Sequence, residues 1–177
     1  GLTWKTLFTT TSALDQLTVT SNPSVLYYLL RNNGHELLRG GFGQEVPDTV
    51  LRLERTKSRN PLIHLFATDA NYVYVSAPDI GLYWSTDGGD TWGRSGIPWG
   101  DYAFFRAVPS KENSNRLVAT AVEWDPMLPT AGGLFTTTNR GASWLVLERI
   151  AHDLFPIFFT DDVLYIEYRM WFSTDYG

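Results

Sequence analysis

The sequence contains no cysteine in its 177 residues. Disulfide bonds and zinc sites built on cysteine are therefore excluded. No apolar run reaches the roughly 18 residues that a membrane-spanning helix needs, and no segment has the pattern of a signal or transit peptide. The first residue is Gly rather than Met, so we interpret the chain as processed or as a piece of a longer protein. The missing signal therefore says little about location.

Basic residues are also scarce, with 14 Lys and Arg against 19 Asp and Glu and a net charge of −5. The absence of any basic run argues against nucleic acid as a partner. Helical periodicity is absent throughout, whereas short apolar runs recur between Gly, Pro, Asn and Asp. Aromatic residues make up 15% of the chain, which favours strands. We predict one all-β domain over residues 1–177.

The most informative stretch runs from Ser85 to Trp92. Apolar and aromatic residues lead into an Asp-Gly-Gly turn, and a Trp leads out, as expected for a β-hairpin. Asp87 can accept N–H bonds within its own turn. Gly89 can adopt a positive φ because it has no Cβ. We call Ser85–Trp92 the first box hairpin.

The same pattern returns 52 residues later, from Thr137 to Trp144, which we call the second box hairpin. Its first half returns after a further 36 residues at Ser173–Gly177, and its last four positions stand at Gly1–Trp4. Leu30–Leu37 is a degenerate candidate. We predict that the pattern residues stabilise turns rather than bind metal or act as acids: Ser85, Asp87, Gly89, Trp92, Thr137, Asn139, Gly141, Trp144, Ser173, Asp175, Gly177 and Trp4.

The pattern Ser/Thr-x-Asp-x-Gly-x-x-Trp resembles the Asp-box, or BNR repeat. That repeat occurs in β-propellers of the sialidase, xyloglucanase and sortilin-like kinds and in the photosystem II assembly-factor propeller. The resemblance implies an all-β propeller of four-stranded antiparallel blades. It also implies a box that lies at the blade periphery, away from any active site. The lack of cysteine argues against the sortilin-like kind. We expect an exported protein: secreted, periplasmic or at the cell surface.

Strand-like runs group into about four sets. The first set comprises 14–20, 25–30, 36–40 and 49–55; the second 62–68, 72–76, 81–85 and 91–95; the third 102–108, 116–123, 133–137 and 143–147; the fourth 154–160, 163–168 and 169–173. Residues 2–7 form an orphan strand.

Three arrangements of the ends are open: a ring closed by residues 2–7, a section of a larger propeller, or pairing between copies of the chain. Joining Gly177 to Gly1 would make the box one residue too long, so we favour the section. Its further blades would come from the rest of a longer chain or from another copy.

Candidate binding residues lie in loops that join the second strand of a set to the third, or one set to the next. These loops should share the rim opposite the box hairpins. Aromatic faces there could stack on sugar rings or anchor a partner protein. We predict binding roles for Trp99, Tyr102, Glu123, Trp124 and Arg169. The alternative is that both Trp side chains close sheet interfaces and that the acids are solvated.

Glycoside hydrolysis needs two carboxylates at a suitable separation. Asp101, Asp125 and Asp153 are candidates, but their spacing selects no pair. A sialidase would also carry an Arg-Ile-Pro motif, which is absent. The Glu167-Tyr168-Arg169 stretch contains residue types that a sialidase site uses. Successive residues of a strand point to opposite faces, however, so Tyr168 would face away from Glu167 and Arg169.

No phosphate-binding Gly loop opens a helix, and the three histidines lack metal spacing, so we expect neither a cofactor nor a metal. The sequence favours a non-catalytic recognition propeller that binds a glycan or a protein through the rim opposite the boxes. The alternative is part of a glycoside hydrolase of the xyloglucanase or sialidase type. An assembly factor for a membrane complex is implied by the resemblance alone.

Overall fold

The computed structural model describes residues 6, 8–22, 24–31, 34–41, 44–53, 63–67, 70–77, 81–95, 102–110, 113–123, 132–150, 155–160, 163–167 and 171–173, with the backbone alone at 77, 102–106, 121–123, 132, 148–150 and from 155 onward. All regular structure in these residues is β, and all of its pairing is antiparallel. The all-β prediction is therefore confirmed.

In the described part of the chain, fifteen strands form four sheets in chain order. Sheet I contains β1 (Ala13–Val19), β2 (Leu26–Arg31), β3 (His35–Gly40) and β4 (Asp48–Leu53). Sheet II contains β5 (His64–Ala67), β6 (Val73–Ala77), β7 (Gly81–Ser85) and β8 (Gly93–Ser95). Sheet III contains β9 (Tyr102–Pro109), β10 (Leu117–Glu123), β11 (Gly132–Thr137) and β12 (Leu145–Ile150). Sheet IV contains β13 (Phe155–Thr160), β14 (Val163–Glu167) and β15 (Trp171–Ser173).

Each sheet is a meander in which consecutive strands are neighbours. Contacts between sheets run through the first two strands: β1 packs on β5, β9 packs on β5 and β6, and β13 packs on β9 and β10. The strands of every sheet therefore run outward from this inner row, and β4, β8 and β12 are outer edges. This radial order follows from the short strands and tight turns of the sequence, which allow only sequential pairing.

Two apolar clusters hold consecutive sheets together. Between sheets I and II, Tyr27, Leu29 and Leu37 pack with Leu65 and Val75. Between sheets II and III, a second cluster joins the two sheets through Tyr74, Leu82, Ala107, Leu117, Ala119 and Phe135. Alternation along each strand sends successive side chains to opposite faces, so a middle sheet contributes to both clusters.

The two rims of the molecule are set by strand direction. The box hairpins join β7 to β8 and β11 to β12. The Gly88 N–H donates to the Asn71 carbonyl at 2.9 Å, and the Arg140 N–H donates to the Asn115 carbonyl at 2.9 Å. The loops between the first and second strands therefore share a rim with the boxes, which we call the box rim. Loops between the second and third strands, and between sheets, begin and end at the opposite rim.

Candidate functional site

The first box hairpin is held together by side chains of its own turn. The Ser85 hydroxyl donates to Asp87 Oδ1 at 2.8 Å and accepts the Gly89 N–H at 2.7 Å. The Asp87 carboxylate also accepts the Thr91 N–H at 2.9 Å and the Thr91 hydroxyl at 2.6 Å. These bonds satisfy turn donors that strand pairing cannot reach. The carboxylate is thus engaged within its turn.

The second box hairpin repeats this network with an amide in place of the acid. The Thr137 hydroxyl donates to Asn139 Oδ1 at 2.8 Å and accepts the Gly141 N–H at 3.0 Å. Asn139 Oδ1 also accepts the Ser143 N–H at 2.9 Å, and Asn139 Nδ2 donates to the Ser143 hydroxyl at 2.8 Å. The turn therefore requires an Asx oxygen at this position and does not require a charge.

Hydrogen bonds lower the pKa of Asp87 to about 2, first through the Thr91 hydroxyl, then through the Thr91 N–H and the Ser85 hydroxyl. A carboxyl whose folded pKa lies below its unfolded value stabilises the fold above that unfolded value, and the contribution disappears as the pH falls through the folded pKa. For Asp87 the window runs from about pH 4 down to about pH 2. A pKa of this kind suits a structural acceptor and is far from that of an acid catalyst at neutral pH.

Asp87→Ala is expected to lower the midpoint of thermal unfolding at pH 7, because three donors lose their acceptor. Asp87→Asn is expected to retain most of the stability, since the second box uses Asn139 in the same role. Below pH 4 the difference between wild type and Asp87→Asn should shrink as Asp87 becomes protonated. Thermal melts between pH 7 and pH 2 measure this. A pH-independent difference would contradict it.

The box hairpin of sheet II also locks that sheet onto sheet I. The Trp92 indole Nε1–H donates to the Val50 carbonyl at 2.8 Å and to the Gly89 carbonyl at 3.0 Å. On the same turn, the Gly88 carbonyl accepts the Tyr27 hydroxyl at 3.1 Å and Arg39 Nη1 at 2.9 Å. The box of one sheet therefore binds the preceding sheet.

The second box makes the equivalent contact on sheet II. The Arg140 guanidinium lies 5.8 Å from the Tyr72 ring and 5.4 Å from the Trp84 ring. A cation over aromatic faces stabilises the contact by about 0.5–2 kcal/mol. Gly141 approaches Ser95 and Leu82 of sheet II. Both boxes thus act as turns and as connections between sheets.

Of the remaining box residues, the structure describes only Ser173. Ser173 pairs with Leu164 through the backbone of β15 and β14. Asp175, Gly177 and Trp4 lie outside the described residues, as do residues 2–5 of the expected orphan strand. The degenerate candidate at Leu30–Leu37 differs from the sequence expectation. It spans the connection from β2 to β3, which belongs to the rim opposite the boxes.

The predicted binding residues belong to segments that begin and end at the rim opposite the boxes. Tyr102 and Glu123 are brought together, because they pair across β9 and β10 beside a register shift. The other predicted binding and catalytic residues lie outside the described residues: Trp99, Trp124, Arg169, Asp101, Asp125 and Asp153.

The structure adds a polar cluster at this rim that sequence reasoning did not find. Asp15 Oδ2 lies 3.0 Å from His35 Nε2, and Asp15 Oδ1 lies 3.1 Å from Arg31 Nη2. Asp15 is the extra residue of a bulge between Leu14 and Gln16 in β1. In the sequence, the interrupted alternation of apolar and polar residues in β1 was the available sign of this cluster. Only pairing across β1, β2 and β3 brings the three residues together, so their separation in sequence concealed the cluster.

Burial lowers the pKa of His35, while the Asp15 carboxylate opposes this effect through its charge and its hydrogen bond. The His35 side chain is buried, whereas the Arg31 side chain is 54% exposed. The cluster therefore presents a guanidinium to solvent and an imidazole held in place by a carboxylate. A cation with free donors can bind a carboxylate or hydroxyl groups of a ligand.

Metal binding finds no support in the described part of the chain, where no group of three or more His, Asp or Glu is placed to hold an ion. The same residues include no helix that could span a membrane.

The four radially ordered antiparallel sheets define a β-propeller, and solved structures share this fold. One match is the crystal structure of a Niastella koreensis GH74 enzyme, with a TM-score of 0.57 and 14% identity. This match covers 93% of the present chain and 26% of the GH74 chain. A second match is the crystal structure of an oligogalacturonate lyase from Vibrio parahaemolyticus, with a TM-score of 0.60 and 11% identity. This match covers 84% of the present chain and 43% of the lyase chain. The chain thus spans less than half of either neighbour. At these identities the likeness shows the fold alone. No protein-family model and no curated protein matches the chain.

Proposed function

We propose that this chain is a section of an exported β-propeller of the Asp-box kind that recognises a polysaccharide through the rim opposite its boxes. The main supporting observation is that the two rims carry different kinds of residues. Both described boxes are occupied by turn and sheet contacts. The opposite rim carries the Asp15–Arg31–His35 cluster and the paired Tyr102 and Glu123.

Two further observations support a glycan as the ligand. The segments attached to this rim contain Trp99 and Trp124 next to acids, and aromatic faces stack on sugar rings while carboxylates accept bonds from hydroxyls. The names of the two solved neighbours also point to carbohydrate chemistry, as a GH74 enzyme and an oligogalacturonate lyase. Recognition without catalysis is favoured because the spacing of the rim acids selects no catalytic pair.

Trp99→Ala and Trp124→Ala are each expected to weaken polysaccharide binding by tenfold or more, with a smaller effect on thermal stability. Isothermal titration with xyloglucan and with oligogalacturonate oligomers measures the affinity. Arg31→Ala should selectively weaken binding of the charged oligogalacturonate, because its exposed guanidinium can pair with a carboxylate. Thr138→Ala on the box rim is the matched control, and its affinity should equal that of wild type. Wild-type protein that binds neither polymer would refute a glycan ligand of these types.

A glycoside hydrolase is the second candidate, because both solved neighbours are named as enzymes. In this case two of Asp101, Asp125 and Asp153 would flank a groove at a separation of about 5–10 Å. Release of reducing ends from xyloglucan, lost in Asp→Asn variants at these positions while binding persists, would favour this function over recognition.

A further inference from the structure

Three polar side chains of sheet I meet on the face directed toward sheet II, at the rim opposite the boxes. Arg31 pairs with His35 across β2 and β3, and His35 pairs with Leu53 across β3 and β4. Directly paired residues lie on the same face, and Leu53 belongs to the apolar cluster between sheets I and II. The bulge in β1 brings Asp15 to this row, where its two carboxylate oxygens contact Arg31 and His35.

The Arg31 guanidinium is the part of this cluster that a ligand can reach. The Arg31 side chain is 54% exposed, whereas the side chains of Asp15 and His35 are 24% and 6% exposed. Asp15 Oδ1 lies 3.1 Å from Arg31 Nη2. A guanidinium carries further N–H donors in a planar fork that matches a carboxylate. A carboxylate ligand can therefore bind Arg31 without displacing Asp15.

The Asp15 carboxylate is shared between a permanent cation and a group that titrates. A guanidinium keeps its charge throughout the physiological pH range, whereas an imidazole gains a charge at mildly acidic pH. While His35 is neutral, the charges of Arg31 and Asp15 cancel, and the cluster attracts an anion only weakly. Once His35 is protonated, the cluster carries a net positive charge.

The remaining charges of sheet I near this cluster point elsewhere. The partner of His35 on β4 is the apolar Leu53. The next row carries Glu36 and Arg52, which pair with each other at 3.0 Å. Alternation directs this pair to the opposite face of sheet I, so it does not face His35.

Sheet II presents apolar side chains to the same interface, among them Leu65 of β5. His64 precedes Leu65 in β5, and alternation directs His64 to the other face of sheet II. Within the described residues, the charged groups that face His35 are therefore Asp15 and Arg31. The charge of the cluster is thus set by whether His35 is protonated.

We propose that this cluster is a proton-controlled subsite for the carboxylate of an acidic sugar, in which Arg31 binds the carboxylate and His35 sets the strength of that binding. The inference rests on the proposed recognition of a polysaccharide, and it names the kind of sugar and the regulation of its binding. Protonated His35 shares the Asp15 carboxylate, which leaves more positive charge at Arg31 for the ligand. By linkage, the bound ligand must raise the pKa of His35.

The pH range of this effect follows from the surroundings of His35. Burial lowers the pKa of His35 from its ordinary value of 6.5, and the Asp15 carboxylate opposes this effect. The protonated form therefore accumulates below pH 6.5. A sugar carboxyl, like an α-carboxyl, stays largely ionised above about pH 4. The affinity for an acidic sugar should thus rise as the pH falls through the range between these two values.

Isothermal titration of the wild-type chain with a galacturonate trimer, at pH 7.5 and pH 4.5 and constant ionic strength, tests the proposal. We expect binding to be about fivefold tighter at pH 4.5, as for one added charge near a protein surface. A xyloglucan oligosaccharide, which has no carboxylate, should show no comparable change.

His35→Gln should make the affinity for the galacturonate trimer independent of pH, because the amide keeps a donor for Asp15 but does not titrate. His64→Gln is the matched control, since His64 precedes Leu65 at the same rim but is directed to the other face of sheet II. It should retain the pH dependence of the wild type. Thermal melts establish that both variants are folded.

NMR titration of the histidine imidazoles in the wild-type chain supplies a measurement that needs no variant. Saturation with the galacturonate trimer should raise the pKa of His35 and leave that of His64 unchanged. The xyloglucan oligosaccharide should leave both unchanged.

The outcomes separate the subsite from the proposed function. Galacturonate binding that is independent of pH, an unchanged pKa of His35 at saturation, or equal effects of His35→Gln and His64→Gln would overturn the subsite and leave polysaccharide recognition in place. Binding of the xyloglucan oligosaccharide alone would have the same meaning. Wild-type protein that binds neither oligosaccharide at either pH would refute the proposed function together with the subsite.

Discussion

Trp92→Ala is expected to lower the free energy of unfolding by about 3 kcal/mol, the low end of the range for truncation of a core Trp, because this side chain is only partly buried. The indole packs against the cluster between sheets I and II. Its N–H also donates to carbonyls of Val50 and Gly89. Truncation therefore removes apolar contact and leaves the Val50 carbonyl without this donor. Chemical denaturation at pH 7 measures the loss.

Trp92→Phe separates these two contributions. The phenyl ring keeps much of the apolar contact but cannot donate a hydrogen bond, so we expect a smaller loss of about 1 kcal/mol. Because Trp92 lies on the box rim, neither variant should change polysaccharide affinity while the protein remains folded. A Trp92→Ala variant with unchanged stability would show that the box does not hold sheets I and II together.

Gly141→Val is expected to have the second large effect, a loss of about 2–5 kcal/mol from backbone strain and overpacking together. The φ of Gly141 is +85°, a conformation that β-branched residues rarely adopt. A Cβ at this position would lie 2.6 Å from Ser95 Oγ and 3.2 Å from Leu82 Cδ2. The substitution would therefore strain the turn and push sheet III away from sheet II.

Two further substitutions distinguish strain from crowding. Gly141→Asn should cost less than Gly141→Val per added atom, since Asn tolerates positive φ better than other non-glycine residues. Compared with Gly141→Ala alone, Gly141→Ala combined with Ser95→Ala should regain only the stability that is lost to crowding. Urea denaturation compares the variants. Equal stability of Gly141→Val and wild type would show that the box turn can rearrange without cost.

Much of the fold could be predicted from local sequence. The two box hairpins and the fifteen short apolar runs of the four sets required sequential antiparallel pairing, and the observed strand bounds follow the predicted runs closely, as at Gly81–Ser85. The predicted runs 36–40 and 49–55 also left a long connection between the third and fourth strands of the first set, as the structure has between β3 and β4. Such features depend on neighbours in the chain, for which turn chemistry and alternation are sufficient.

The candidate site was less predictable, because its residues meet only across strands. Asp15 lies 20 residues from His35 in the chain, and the two approach because a bulge in β1 interrupts the alternation at Asp15. No local pattern specifies that pairing register or bulge. The predicted site residues were chosen by loop position, and of these the structure describes the pairing of Tyr102 with Glu123.

The sequence by itself therefore determined the all-β class, the strand order within each sheet and the turn chemistry of Ser85, Asp87, Thr137 and Asn139, because each is a local property of a hairpin. Tertiary structure alone decided three other features. It showed that a box binds the preceding sheet, as Trp92 does at Val50. It assembled the Asp15–Arg31–His35 cluster. It left Leu17 and Val19 exposed. All three depend on which sheet faces lie against one another, and that is decided by packing between residues distant in sequence.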